Sequence, residues 1–229
     1  MNHNDNPTKG KNSKKGNPFP LHVACQEGHT DKAVLLIVQG ASVNERETNG
    51  LTPLHSACLR GQIATALMLI EHGASLTEKE INCATPLHAA CSKGHIATVL
   101  MLIEHGASLT EKANDGYTPL HVACLQGHND LAVMLIEHGA SLTEKANKGA
   151  NALHLACNEG HIATAVMLIE QGASLTEKAI NGATPFHIAC LQGHIAIAAM
   201  IIEEHGASLT EKTDLSLVGT SLHTTANRI

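Results

Sequence analysis

Apolar positions along this chain follow a two-part cycle that predicts paired short helices. In residues 51–83, Leu54, Ala57 and Cys58 fall at i, i+3 and i+4, which makes one buried face of a short helix. Thr52 opens that helix and Pro53 sits in its first turn, where a missing N–H costs nothing. Gly61 lets the chain reverse, and a second helix is predicted over about Ile63–His72, with Leu69 and Ile70 facing inward. Gly73 stands where a left-handed C-cap stops that helix. The stretch Ser75–Ala84 then crosses to the next unit as an extended hairpin, or finger.

The cycle repeats every 33 residues. MLIEHGASLTEK occurs whole from positions 68, 101 and 134, and with one substitution from 167. TPLH or a near variant starts at 52, 85, 118 and 184, with Phe19-Pro20-Leu21-His22 before them and Asn151-Ala152-Leu153-His154 between. Gly28, Gly61, Gly94, Gly127, Gly160 and Gly193 share one column, and all but Gly61 precede a His. Helices of about eight to ten residues are too short to stand alone. Each apolar face must therefore be covered by the next unit, which gives a linear array held by nearest-neighbour contacts.

These residues resemble the ankyrin repeat. Thr118-Pro119-Leu120-His121, Ala123, Gly127-His128 and Gly139-Ala140 show the pattern in one unit, and the likeness covers roughly residues 18–212. The resemblance implies an all-α solenoid of stacked helix–turn–helix units with β-hairpin fingers. The expected organisation is a polar tail over 1–17, then an ankyrin repeat domain over 18–229. Its units fall at about 18–50, 51–83, 84–116, 117–149, 150–182 and 183–218, with a partial seventh at 219–229. Two places depart from the pattern: the sixth unit has an extra residue at Glu203-Glu204, and the linker 213–219 stretches the last spacing to 36. Thr220–Ile229 reads either as a worn terminal cap or as the start of further chain.

Composition narrows the classes. Hydrophobic residues are 43% of 229, with no Trp, one Tyr and two Phe, so the core must rest on small aliphatic contacts. No apolar run approaches the roughly 18 residues of a membrane helix. Net charge is −6, and residues 1–17 carry Lys9, Lys11, Lys14 and Lys15 against Asp5. An acidic body with a short basic arm argues against nucleic acid, which needs clustered cations. The amino terminus has no apolar segment of the secretory kind, so cytoplasmic residence is expected. Lys9–Lys15 also fits a short nuclear-localisation cluster.

Seven Cys and seventeen His raise the question of metal. Cys25, Cys58, Cys91, Cys124, Cys157 and Cys190 form one column, but equivalent atoms in stacked units lie about 8–10 Å apart. A disulfide needs Cα atoms within about 7 Å, and a shared zinc needs thiolates at about 2.3 Å. The column therefore reads as small buried hydrophobes in a position where ankyrin units usually place Ala. Cys83 replaces the Gly of neighbouring fingers at 50, 116, 149 and 182, either by drift or as a reactive or partner-contacting thiol. The His of TPLH is expected to hydrogen-bond within its turn, the Gly-His column to brace a loop, and His72, His105, His138 and His205 to suit helix C-termini. No catalytic triad, phosphate loop or paired CxxC is present. The expectation is no enzyme and no cofactor, with metal buffering through the His-rich surface as a minor alternative.

The resemblance implies a partner protein bound by the finger tips and the concave face of the first helices. Carried over by position, the concave candidates are Gln26, Glu27, Leu59, Arg60, Ser92, Lys93, Leu125, Gln126, Asn158, Glu159, Leu191 and Gln192. The finger candidates are Glu80, Asn82, Asn114, Asp115, Lys148 and Asn181, and Tyr117 is the expected anchor because interfaces favour Tyr. A second surface is expected on the convex side, where Val34, Leu67, Leu100, Val133 and Val166 replace charge. They either lie under neighbouring long side chains or form a ridge for weak self-association. The function implied is a protein-interaction scaffold or adaptor. The alternative is a targeting or regulatory module of a larger enzyme or channel.

Overall fold

A computed structural model describes residues 19–205, and those residues form twelve α-helices. They pair as α1 (Pro20–Glu27) with α2 (Thr30–Val38), α3 (Pro53–Leu59) with α4 (Ile63–Glu71), and α5 (Pro86–Ser92) with α6 (Ile96–Glu104). The series continues with α7 (Pro119–Leu125) and α8 (Asn129–Glu137), α9 (Ala152–Glu159) and α10 (Ile162–Glu170), and α11 (Pro185–Leu191) and α12 (Ile195–His205). First helices touch first helices and second helices touch second helices down the whole stack. The basic tail, the linker 213–219 and the partial seventh unit lie outside the described residues.

Local chemistry sets each helix start. Thr52 holds an extended backbone, its Oγ1 accepts from the His55 backbone N–H, and Pro53 follows at the first helical position. The His55 side chain reaches back to the Thr52 backbone, so a histidine does the work that Glu or Gln does in the usual capping box. The same box recurs at Thr85, Thr118 and Thr184. Asn151 caps α9 in the same way although Ala152 replaces the proline. Phe19 offers α1 no such side-chain cap.

Between the two helices the chain must take a left-handed turn. Gly127 has φ +70°, and a Cβ there would lie 2.6 Å from the His161 ring of the next repeat. Glycine is therefore required both by backbone sterics and by the neighbour's imidazole. That imidazole is held in turn: His161 Nε2 lies 3.0 Å from the Leu125 carbonyl oxygen. His95, His128 and His194 make the same reach to Leu59, Ser92 and Asn158. Gln62 substitutes in the second repeat, donating to the Gln26 carbonyl. The expected loop brace is thus a link between repeats, tying each turn to the end of the preceding first helix.

The core is a set of columns one repeat apart. Leu21, Leu54, Leu87, Leu120 and Leu153 are buried on the first helices, and Leu69, Leu102, Leu135 and Leu168 on the second. Ala24, Ala57, Ala90, Ala123, Ala156 and Ala189 lie between them beside the buried cysteines. Small residues in this layer let the first helices approach one another more closely than the second helices do, and the first-helix row is the one that the ankyrin resemblance makes concave. Leu69 is fully buried as expected, whereas Ile70 is half-buried.

The fingers are shorter than hairpins: no strand occurs among the described residues. Glu80 N–H donates to the Ala84 carbonyl and Cys83 N–H to that of Glu80, which closes a tight turn with no room for a ladder. Successive fingers join tip to tip, as in Asn114 N–H to the Asn82 carbonyl and Asn147 N–H to that of Asp115. Below the tips runs a line of ion pairs, Arg46–Glu78, Lys79–Glu111, Lys112–Glu144 and Lys145–Glu177, each between adjacent repeats. Such half-exposed pairs contribute about 0–1 kcal/mol each.

Candidate functional site

The concave side carries a trough of about 490 Å³ between the finger turns and the first helices of repeats two to four. Repeat three forms its floor with small residues: Ala84, Ala89 and Ser92. Leu51 and Leu59 form one wall, and Tyr117 and Val122 the other. Glu80, Asn82, Asn114 and Asp115 line it from the fingers. The size is within the range of about 300–1,000 Å³ typical of ligand sites, and the mix of apolar floor with a few polar groups is of that kind. A second, more open hollow of about 770 Å³ continues from Leu51 and Leu59 to Gln26, Glu47, Ser56, Arg60, Lys93 and His95.

The histidines at the trough wall are fixed. His55 Nδ1 accepts from the Thr52 backbone N–H at 3.2 Å, so Nε2 carries the proton and donates to the Ala84 carbonyl at 3.1 Å. Burial pulls this imidazole down to about 4, against the opposing pull of the Ala84 hydrogen bond. His88 is likewise lowered by burial and reaches the Tyr117 carbonyl at 3.0 Å. Both are neutral at pH 7 with their nitrogens committed, which suits bracing and not proton transfer.

The acids on the fingers differ. Glu80 Oε1 accepts from the Asn82 and Ala84 backbone N–H groups. Asp115 Oδ1 accepts from Tyr117 N–H at 3.0 Å. Neither carboxylate meets a cation in an ion pair among the described residues. The finger-base cations Arg46, Lys79, Lys112 and Lys145 are all engaged with the line of glutamates.

Set against this geometry, the expected contact residues divide. Arg60, Lys93, Gln126 and Leu191 are exposed at the ends of first helices, and Leu59, Glu159 and Gln192 are half-buried there. Asn82, Asn114 and Lys148 are exposed on the fingers, with Glu80, Asp115 and Asn181 half-buried. Three expectations need correction. Tyr117 is only 6% exposed, because its ring lies stacked on His121 at 5.9 Å between centroids and 14° between planes. It is a wall of the trough and not a projecting anchor. Leu125 is buried in the core cluster. Asn158 is buried because Gln192 Nε2 donates to its Oδ1 and its own Nδ2 donates to Glu159. Ser92, an expected concave residue, lines the trough with Ala84 and Ala89, which were not expected, and the floor they form was missed. Its signal was available by comparing columns, since Ser92 stands where other repeats carry Leu59, Leu125 and Leu191.

On the convex side Val34, Leu67, Leu100, Val133 and Val166 are half-buried, and Val34 and Val133 pack against the core. Exposed apolar positions on the second helices include Ile63, Ile96, Ile162 and Ile195, which open them, and Leu35, Val38 and Ile202. Of the cysteines, Cys25, Cys58, Cys91, Cys124 and Cys157 are buried, Cys83 is half-buried and Cys190 is exposed, all as free thiols. Among the described residues, no three His, Cys, Asp or Glu side chains are grouped to hold a metal ion. No helix among them is long and apolar enough to cross a membrane.

Comparison with known proteins agrees with this architecture. The family model of ankyrin repeats, in three copies, matches over residues 2–80, 76–146 and 141–213. Among solved structures the chain is similar to the crystal structure of human ASB11 ankyrin repeat domain, with 30% identity and a TM-score of 0.76. That likeness covers 85% of this chain and 86% of the other. No curated protein is significantly similar in sequence. With a repeating Thr-Pro-Leu-His cap, a Gly-His turn and this stacked helix order, the chain belongs to the ankyrin-repeat family.

Proposed function

We propose that this chain is a protein-interaction scaffold or adaptor, acting in the cytoplasm without a cofactor, that binds its partner in the concave trough. Ankyrin repeats in general are modules that bind other proteins. The observation that carries the reading is the trough itself: an apolar floor on a rigid scaffold, walled by Leu51, Leu59, Tyr117 and Val122 and rimmed by polar fingers. Apolar centres with polar rims are the usual anatomy of a protein contact. The buried, reduced cysteines fit a reducing compartment.

The test is affinity capture from a native lysate, wild type against Ala89→Ile with Ser92→Leu. Ile188 and Leu59 occupy the same columns in other repeats, so the variant keeps residues this fold accepts. A protein lost only from the filled variant supports the trough as the binding surface. Equal capture by both places binding elsewhere.

A further inference from the structure

Resting on that reading, we infer that the trough takes a peptide segment whose apolar side chain sits over Ala84 and Ala89, with an adjacent Arg or Lys held by Glu80 and Asp115. The apolar half follows from the floor and walls. Ala84, Ala89 and Ala113 leave space that Leu51 and Leu59 on one side and Tyr117 and Val122 on the other enclose. The basic half follows from charge. Glu80 and Asp115 stand together at this trough, whereas the equivalent positions one finger later are Ala113 and Lys148.

Neither acid is required for its charge by the fold. Asp115 Oδ1 caps the Tyr117 N–H, but Asn49 and Asn181 do the same to Leu51 and Ala183 from the same column, as neutral amides. In the column of Glu80, the later repeats use Ala113, Ala146 and Ala179 and still close the finger. A negative charge that the turn does not need, in no ion pair among the described residues, beside an apolar trough is complementary to a cation flanking an apolar anchor. A guanidinium or ammonium there would form charge-assisted hydrogen bonds with oxygens that now serve only N–H donors.

The experiment selects displayed random peptides on the intact chain, then measures selected synthetic peptides by fluorescence anisotropy. Three proteins are compared: wild type, Ala89→Ile with Ser92→Leu, and Glu80→Gln with Asp115→Asn. The amide variants keep the turn-capping oxygens, so circular dichroism and melting temperature should match wild type. The expected result is enrichment of an apolar residue with Arg or Lys within two positions. Affinity should then fall about tenfold in the amide variant and be lost in the filled one. Peptides blocked by filling but indifferent to the amide changes, or not enriched in basic residues, would overturn this inference and leave the concave reading standing. Peptides that bind the filled variant as well as wild type would overturn both.

Discussion

The imidazole of His55 links two repeats: its Nε2 lies 3.1 Å from the carbonyl oxygen of Ala84, the residue that begins the next helix cap. His22 to Leu51, His88 to Tyr117 and His154 to Ala183 repeat the relationship. His55, His88 and His154 therefore both complete their own capping boxes and bond a carbonyl of the following unit, whereas His22 makes only the second link. In an array stabilised by neighbours, such a bond contributes directly to coupling between repeats.

His55→Leu tests that coupling. It leaves the buried Thr52 backbone N–H without its acceptor and removes one of the two bonds to the Ala84 carbonyl, which keeps the one from Glu80 N–H. The expected loss is about 3 kcal/mol, made of the lost hydrogen bonds and an unsatisfied buried donor. Urea unfolding followed by circular dichroism measures it. A loss below about 0.5 kcal/mol, the scale of an unremarkable surface change, would show that the histidine bridges contribute little.

Stability should also depend on pH through the same residues. Burial holds His55, His121 and His154 at about 4, below the ordinary 6.5 that they regain on unfolding. Below pH 6.5 the unfolded chain takes up protons that the folded chain refuses, so folding free energy is lost as pH falls. The loss accumulates down to about pH 4 and levels off there. Each of the three contributes on the order of 3 kcal/mol across that window. Denaturant midpoints at pH 7.5, 6 and 5 should fall in that order. A constant midpoint would mean that these imidazoles titrate normally in the folded state.

Cys83 is the one non-glycine residue with positive φ among those described, at 60°, in a column where Gly50, Gly116, Gly149 and Gly182 share that conformation. Cys83→Gly should relieve this strain and raise stability by about 1 kcal/mol. A rise in melting temperature checks it. A fall would mean that the thiol makes contacts worth more than the backbone strain.

Thiol reactivity should separate the cysteines by burial. Burial pushes Cys25, Cys124 and Cys157 up to about 12, and raises Cys58 and Cys91 as well. The thiolate is the reactive form, so labelling of the native protein by a chromogenic disulfide should stop at Cys83 and Cys190. Full labelling should require denaturant. Rapid native labelling of Cys58 or Cys91 would show that the repeats open readily.

The fold was legible because its determinants are local and repeated. Thr-Pro-Leu-His writes the cap, Gly-His the turn, and the 33-residue period dictates stacking. The binding surface was only partly legible because exposure depends on what the adjacent unit presents. Arg60 and Lys93 are exposed, at the ends of first helices. Tyr117 does not, since His121 one turn on offers its ring a flat surface. Asn158 disappears into a bond from Gln192, a residue 34 positions away. The ridge residues Leu67 and Leu100 similarly prove half-buried, while Ile63 and Ile96, four positions earlier, carry the exposed apolar surface.

The central claim is that a partner occupies the concave trough, and one measurement reads it most directly: hydrogen–deuterium exchange with and without a captured partner. Slower exchange should be confined to the finger turns 80–84 and 113–117 and the first helices α3, α5 and α7, with the opening turns of α4 and α6 unchanged. Protection of the Ile63 and Ile96 turns, with the fingers unaffected, would contradict the account and move the interface to the opposite edge.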